Sequence, residues 1–151
     1  MVFSYGIEVY ANTTANHLSK LNVLNNRILR IVGLQKKTIK THNNDLYKSY
    51  FTLPLQLLHQ FNILLFMHNY VHHRNKLPVV FSTYFEENKV IHKYNTRQKD
   101  DFHIDAIKSE IGKRSIKYKG SKLWNDLGYQ LNLKKYSHFK LKTYLLQSLT
   151  C

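Results

Sequence analysis

Residues 15–32 read ANHLSKLNVLNNRILRIV, and this stretch decides the fold. Leu18, Leu21, Leu24, Ile28, Ile31 and Val32 recur every three or four residues, which places one apolar stripe on an α-helix. Thr13 or Thr14 stands where a hydroxyl caps the first turn by accepting an orphan N–H. Gly33 stands where a left-handed residue ends a helix. At about 100° per residue, Lys20, Arg27 and Arg30 fall beside or across from the stripe. The pattern predicts a helix that packs on one side and shows cations on the other, with a basic segment carrying Lys36, Lys37 and Lys40 directly after it.

Outward from this helix the signals stay helical. Asn43 and Asn44 mark a turn, and Asp45 to Tyr50 makes a short helix. Pro54 suits the first turn of the next helix, because its missing N–H would be unpaired there in any case. From Leu55 to Val71, 11 of 17 residues are apolar and surround the helix, the pattern of a central buried one. Pro78 ends or restarts the chain, and Val79 to Phe85 is read as another short helix. Ser115 to Leu127 and Ser137 to Leu149 are the last two helical stretches. In the final one Phe139, Leu141, Tyr144, Leu145 and Leu149 give an apolar face, with Lys140 and Lys142 at its edge. The expectation is an all-α fold, a compact irregular or orthogonal bundle of about five to six helices with a polar central hinge loop. No internal repeat or low-complexity tract interrupts it.

A chain of 151 residues has room for one domain, and 20 aromatics with only seven Gly plus Pro allow it a core. Its 23 Lys and Arg against nine Asp and Glu give a formal charge of +14. That excess points to a polyanionic partner, nucleic acid before an acidic membrane surface. Eighteen of the 23 cations are Lys, which A/T-biased codons would also favour; the bias accounts less well for the shortage of acids. The charge is unevenly placed. Residues 1–85 hold nine cations and two acids, residues 86–105 four and five, and residues 106–151 ten and two. The near-neutral polar middle, 86–105, lacks periodicity and reads as a hinge loop between an N-terminal helical part and a basic C-terminal helical part of one domain.

Catalytic patterns are sparse. His68 and His72 are four apart on a helix with His73 adjacent, but the glutamate of a protease-type zinc helix is missing, so they read as polar tips on a mostly buried helix. Asp100-Asp101 would need a hairpin and a further carboxylate to hold two divalent cations, and they lie in a polar loop instead. One cysteine, Cys151, excludes an internal disulfide and a cysteine-based zinc site. No Gly-rich phosphate loop or nucleophile triad is present, so the expectation is a non-enzyme without metal or cofactor. Met1 to Tyr10 lacks a secretory signal, and the longest clean apolar run, Ile63 to Met67, is far below a membrane span. The chain reads as soluble and intracellular, in nucleus or cytoplasm, with no membrane partner.

Two local motifs say more. His92-Lys93-Tyr94-Asn95-Thr96-Arg97 packs an aromatic, an amide and cations into six residues. Tyr94 can stack on a base or anchor the loop, Asn95 can pair with a base edge or cap a turn, and Arg97 can fork a phosphate. From Lys113 to Asn125, Arg114, Lys117, Lys119 and Lys122 accompany Tyr118 and Trp124. Trp124, flanked by Leu123 and Leu127, reads first as core and second as a stacking platform; the cations around it can meet phosphates.

Several of these pieces together resemble the C-terminal region of LINE-type (non-LTR, jockey-like) retrotransposon reverse transcriptases. Tyr5-Gly6-Ile7-Glu8-Val9-Tyr10 is similar to that family's Tyr-Gly-x-x-x-Trp opening, and Leu24 to Ile31 to its Leu-Gln-x-Arg-x-x-Arg-Ile helix. Asn75-Lys76-Leu77-Pro78 with Phe81 resembles its Leu-Pro step, and His92 to Arg97 its His-x-Tyr-Asn-Thr-Arg signature. Ser115-Ile116 through Gly120 to Leu123-Trp124-Asn125-x-Leu127 resembles its Gly-x-x-Leu-Trp-Asn-x-Leu segment, and Phe139-Lys140-x-Lys142 with Leu145-Leu146 its closing helix. Order and rough spacing hold from residue 5 to 149. Tyr10-Ala11 replaces Trp-Gly, Gly128 replaces a proline, and the Cys/His knuckle of some relatives is missing.

The resemblance implies the tail of a larger enzyme whose polymerase and endonuclease carboxylates lie upstream and have no counterpart here. Such a tail would help to hold RNA template or target DNA. In that reading Lys20, Arg27, Arg30, Lys36, Lys37 and Lys40 form one phosphate-contacting patch and Arg114, Lys117, Lys119 and Lys122 a second, while Tyr94, Asn95 and Arg97 supply base contacts. The alternative is a helical interaction scaffold that docks on the missing polymerase domain. A metal-dependent nuclease built on Asp100 and Asp101 is the third reading.

Overall fold

A computed structural model describes residues 6–33, 42–93, 95–131 and 138–147. The fold is all-α, with no strand among the described residues beyond an isolated bridge between Glu87 and Phe102. In chain order the helices are α1 (Ile7–Tyr10), α2 (Ala15–Val32), α3 (Asn43–Ser49), α4 (Leu55–His72), α5 (Asn88–Ile91), α6 (Glu110–Lys113), α7 (Ile116–Leu131) and α8 (His138–Gln147). Single 3-10 turns lie at Arg74–Lys76 and Val79–Phe81. Of the helix expected over Val79–Phe85 only that turn forms, and α1, α5 and α6 are short helices without a periodicity signal of their own. The chain divides into two compact units, residues 1–62 with 137–151 and residues 63–136, which follow the clustering of apolar side chains and not the three charge stretches.

The first unit closes over Ile7, Leu18, Leu53, Leu55, Leu58, Leu145 and Leu146, with Tyr10, Leu21, Phe61 and Tyr144 packed around them. Each such leucine contributes about 1.5–3 kcal/mol by leaving water. In α2 the predicted stripe is only partly used. Leu18 is buried and Leu21 and Ile28 are half-buried, but Leu24, Ile31 and Val32 are exposed. The cause is Tyr47 on α3, whose buried hydroxyl requires partners. Asn25 Nδ2 donates to the Tyr47 Oη at 3.1 Å, and that hydroxyl donates to Asn26 Oδ1 at 2.6 Å. Burial pushes the Tyr47 phenol up from its ordinary pKa, against the Asn25 hydrogen bond.

Three chain-end details of these helices differ from expectation. Thr14 is the residue before α2, but its Oγ1 bonds His17 Nδ1 at 2.7 Å and no backbone N–H. Gly33 is not left-handed (φ −76°); what excludes a side chain is the Tyr50 hydroxyl, which lies 1.9 Å from where a Cβ would stand. The left-handed position falls instead at Phe51, φ 46°, just past α3. There the Phe51 N–H bonds Lys48 O at 3.0 Å and the Thr52 N–H bonds Tyr47 O at 2.9 Å. This is the paired hydrogen-bond ending in which glycine is the usual occupant, and a side chain held there costs about 1–2 kcal/mol.

The second unit is built on aromatics. Ile63, Met67 and Tyr70 of α4 meet Phe85 and Phe102, and Leu123 and Trp124 of α7, both half-buried, pack against them. Tyr70 and Phe85 meet edge-to-face at 4.9 Å, and Phe85 and Phe102 lie 5.5 Å apart. The Tyr70 hydroxyl donates to Phe85 O at 3.1 Å, and the Arg74 guanidinium lies 4.4 Å from the centre of the Tyr70 ring. Gly120 lets α7 approach this cluster, since a Cβ there would stand 2.8 Å from Met67 Sδ.

The polar middle is a loop with its arms tied together. His103 N donates to Glu86 O at 2.7 Å, Asn88 N to Asp101 O at 2.9 Å, and Lys89 N to Lys99 O at 2.9 Å. Asn125 on α7 then clasps the backbone of one loop residue, Phe102, through both its N–H and its C=O. Its Oδ1 accepts from Phe102 N at 3.0 Å, and its Nδ2 donates to Phe102 O at 2.8 Å. Two hydrogen bonds of this kind are worth about 1–3 kcal/mol together. Asn125→Ala is expected to lower unfolding free energy by about 2 kcal/mol in urea titration. Asn125→Asp should recover none of it, because a carboxylate keeps the acceptor but sets a second oxygen against Phe102 O.

Candidate nucleic-acid interface

The exposed side of α2 carries Lys20, Arg27 and Arg30. At the helical period Lys20, Leu24, Arg27 and Ile31 follow one another along this side, all of them exposed, so cations and aliphatics share one solvent face. No acid occurs anywhere in α2. Arg30 is steadied by its Nη2, which donates to Asn43 Oδ1 at 2.9 Å. Lys36, Lys37 and Lys40 lie outside the described residues.

The second predicted patch is used more unevenly. Arg114 and Lys122 are exposed. Lys117 is held by Asp105, Nζ to Oδ2 at 2.9 Å, and His103 Nε2 lies 3.6 Å from the other oxygen of the same carboxylate. The hydrogen bond from Lys117, helped by the charges of Lys117 and His103, holds the Asp105 carboxyl below its usual range, against a smaller opposing effect of burial. Lys119 is half-buried, and desolvation with the neighbouring Arg114 charge pulls its ammonium pKa down. Two of the four cations are therefore engaged or partly withdrawn from solvent. Lys113 likewise pairs with Glu110 at 2.7 Å, within the single turn of α6.

In the loop Asn95 and Arg97 are both exposed, and Tyr94 lies outside the described residues. The two motifs singled out in the sequence converge. His92 and Thr96 from one, and Asn125 from the other, line an open pocket of about 530 Å³ together with Phe102, His103 and Asp126. His92 and His103 meet edge-on at 5.6 Å. His103 Nδ1 lies 3.2 Å from Asn88 Oδ1, and Asn88 Nδ2 donates to Gln98 O at 2.9 Å. The lining offers both donors and acceptors, with Lys93 and Arg97 exposed on the adjoining segment. Its side chains can meet polar groups as donors and as acceptors.

The His68 and His72 rings lie 4.5 Å apart and His73 6.2 Å from His68. Among the described residues no group of three or more His, Cys, Asp or Glu is placed to hold a metal ion. Asp100 is exposed and 3.8 Å from Lys89, which also pairs with Glu87. No helix among the described residues is long and apolar enough to cross a membrane.

Sequence reasoning missed Asp105 as the partner of Lys117 and Asn125 as the clasp, because both act across the loop and leave no local periodic signal. It missed Phe51 for a different reason: the end of α3 has no glycine to mark it. Comparison with family models, with curated proteins and with solved structures found no match to this chain.

The Asp105 pair gives a pH signature. A carboxyl held low in the folded state adds stability that is present above its unfolded pKa, near about 4, and is lost as pH falls through the lowered folded value. Wild type should therefore be the more stable at neutral pH when compared with Asp105→Asn, by a small margin for so exposed a pair. The two denaturation midpoints should converge below that range, as read by urea titration from acid to neutral pH.

Proposed function

We propose that this chain is a non-catalytic, all-α nucleic-acid-binding segment of the kind that follows the polymerase core in non-LTR retrotransposon reverse transcriptases. It acts inside the cell, in nucleus or cytoplasm, and holds template RNA or target DNA through the phosphates. The observation that carries this reading is α2, an 18-residue helix with Lys20, Arg27 and Arg30 all exposed and no acid among its residues. Phosphate oxygens supply the negative charge that α2 does not carry itself. Arg97, Arg114 and Lys122 add exposed cations in the other unit, and the mixed donor and acceptor lining beside Arg97 suits an unpaired base.

A second reading rests on exposed aliphatics. Val23, Leu24, Ile31 and Val32 on α2, with Val79, Val80 and Ile111 elsewhere, leave apolar surface of the sort that a protein partner covers. In that case the chain is a scaffold for the upstream polymerase domain and binds nucleic acid weakly on its own.

A salt titration against matched single-stranded RNA, duplex RNA and duplex DNA separates these readings. With five or six phosphates engaged, log K should fall against log salt with a slope of roughly −5 on duplex and less on single strands. Replacing Lys20, Arg27 and Arg30 by Gln should flatten that slope by about 3, one phosphate for each cation. Asp105→Asn should steepen it by about 1, as Lys117 becomes available. Weak binding of wild type with no salt dependence would favour the scaffold.

A further inference from the structure

Two places in the first unit depart from what folding alone would choose, and they meet. Phe51 occupies a left-handed backbone position (φ 46°) at the end of α3, where glycine would sit without strain. Phe139, in the first turn of α8, is an aromatic side chain left 67% exposed. Their rings stack, with centroids 5.4 Å apart and planes 26° from parallel. The Lys142 ammonium lies 4.6 Å from the centre of the Phe51 ring. Phe51 is itself 38% exposed. A pair whose purpose was to fasten α3 to α8 would bury itself, as Leu141, Leu145 and Leu146 of the same helix do. This pair keeps the Phe139 ring in water and sets a cation over the Phe51 ring behind it.

We propose that the Phe51–Phe139 stack is a platform for an unpaired base of a single-stranded nucleic acid, with the base lying on Phe139, Phe51 bracing that ring from behind, and Lys142 serving the adjoining phosphate. Stacking on a phenyl face needs no particular base, so the platform tolerates any sequence and rejects a closed duplex, whose bases are already stacked. The proposal rests on the nucleic-acid reading above and names the strand state that one part of the molecule selects.

The test uses the full chain and short single-stranded RNA and DNA oligonucleotides carrying 2-aminopurine, whose fluorescence changes when the base stacks. Wild type should bind with a stacking change in the probe. Phe139→Ala should bind on the order of tenfold more weakly and lose that change, at an unaltered salt slope, since no phosphate contact is removed. Phe139→Trp should restore both. Phe51→Gly, which keeps the left-handed backbone and removes the ring, should weaken single-strand binding while leaving duplex affinity unchanged. Wild-type affinity and probe response in Phe139→Ala would overturn the platform alone and mark the pair as a staple or a protein contact. An absence of salt-dependent binding by wild type would overturn the wider reading, and the platform with it.

Discussion

A helix with apolar residues around most of its circumference needs cover on more than one side, and α4 is such a helix. Leu55 and Leu58 belong to one cluster, Ile63, Met67 and Tyr70 to the other, and the rest of the chain supplies what lies around them. That demand explains why short pieces without strong helical signals still take up defined places. Ile7 of α1 is wholly buried although α1 is a single turn, and Phe85 and Phe102 are buried although neither stands in a helix. Their burial contributes free energy that the local backbone could not supply by itself.

The acids are few, and where they pair they pair close at hand. Glu87 and Asp100 take Lys89, Asp105 takes Lys117, and Glu110 takes Lys113, all within residues 63–136. The formal charge of +14 therefore understates the unevenness of the surface. In the second unit part of the positive charge holds the loop and α6 in shape, whereas α2 has none of its own acids to engage. Net charge alone would treat Lys20 and Lys117 alike; their neighbours make them different.

What was legible in the sequence is what repeats at short range. The spacing of Leu18, Leu21 and Ile28 gave α2, the density of apolar residues after Pro54 gave α4, and the leucines around Trp124 gave its packing, half-buried, against the aromatic cluster. The candidate site was legible as residue types, and the convergence of His92 and Thr96 with Asn125 was not, because folding brings together motifs far apart in the chain. The same holds for α2's orientation. Tyr47, more than twenty residues away, turns Asn25 and Asn26 inward and leaves Leu24 and Ile31 outside, against the hydrophobic pattern. Amide side chains satisfying a buried hydroxyl outweighed two aliphatic residues, which no periodicity count weighs.

The Asn125 clasp has a further consequence for how the molecule breathes. The Phe102 amide hydrogen is held by a side chain and not by a helix or a sheet, so its exchange with solvent does not require any helix to unwind. It requires that Asn125 let go and that water reach a residue otherwise buried in the aromatic cluster. Exchange at that one amide is therefore a clock for the loop lifting away from α7, running on its own time while the amides inside α7 keep the slower time of the core.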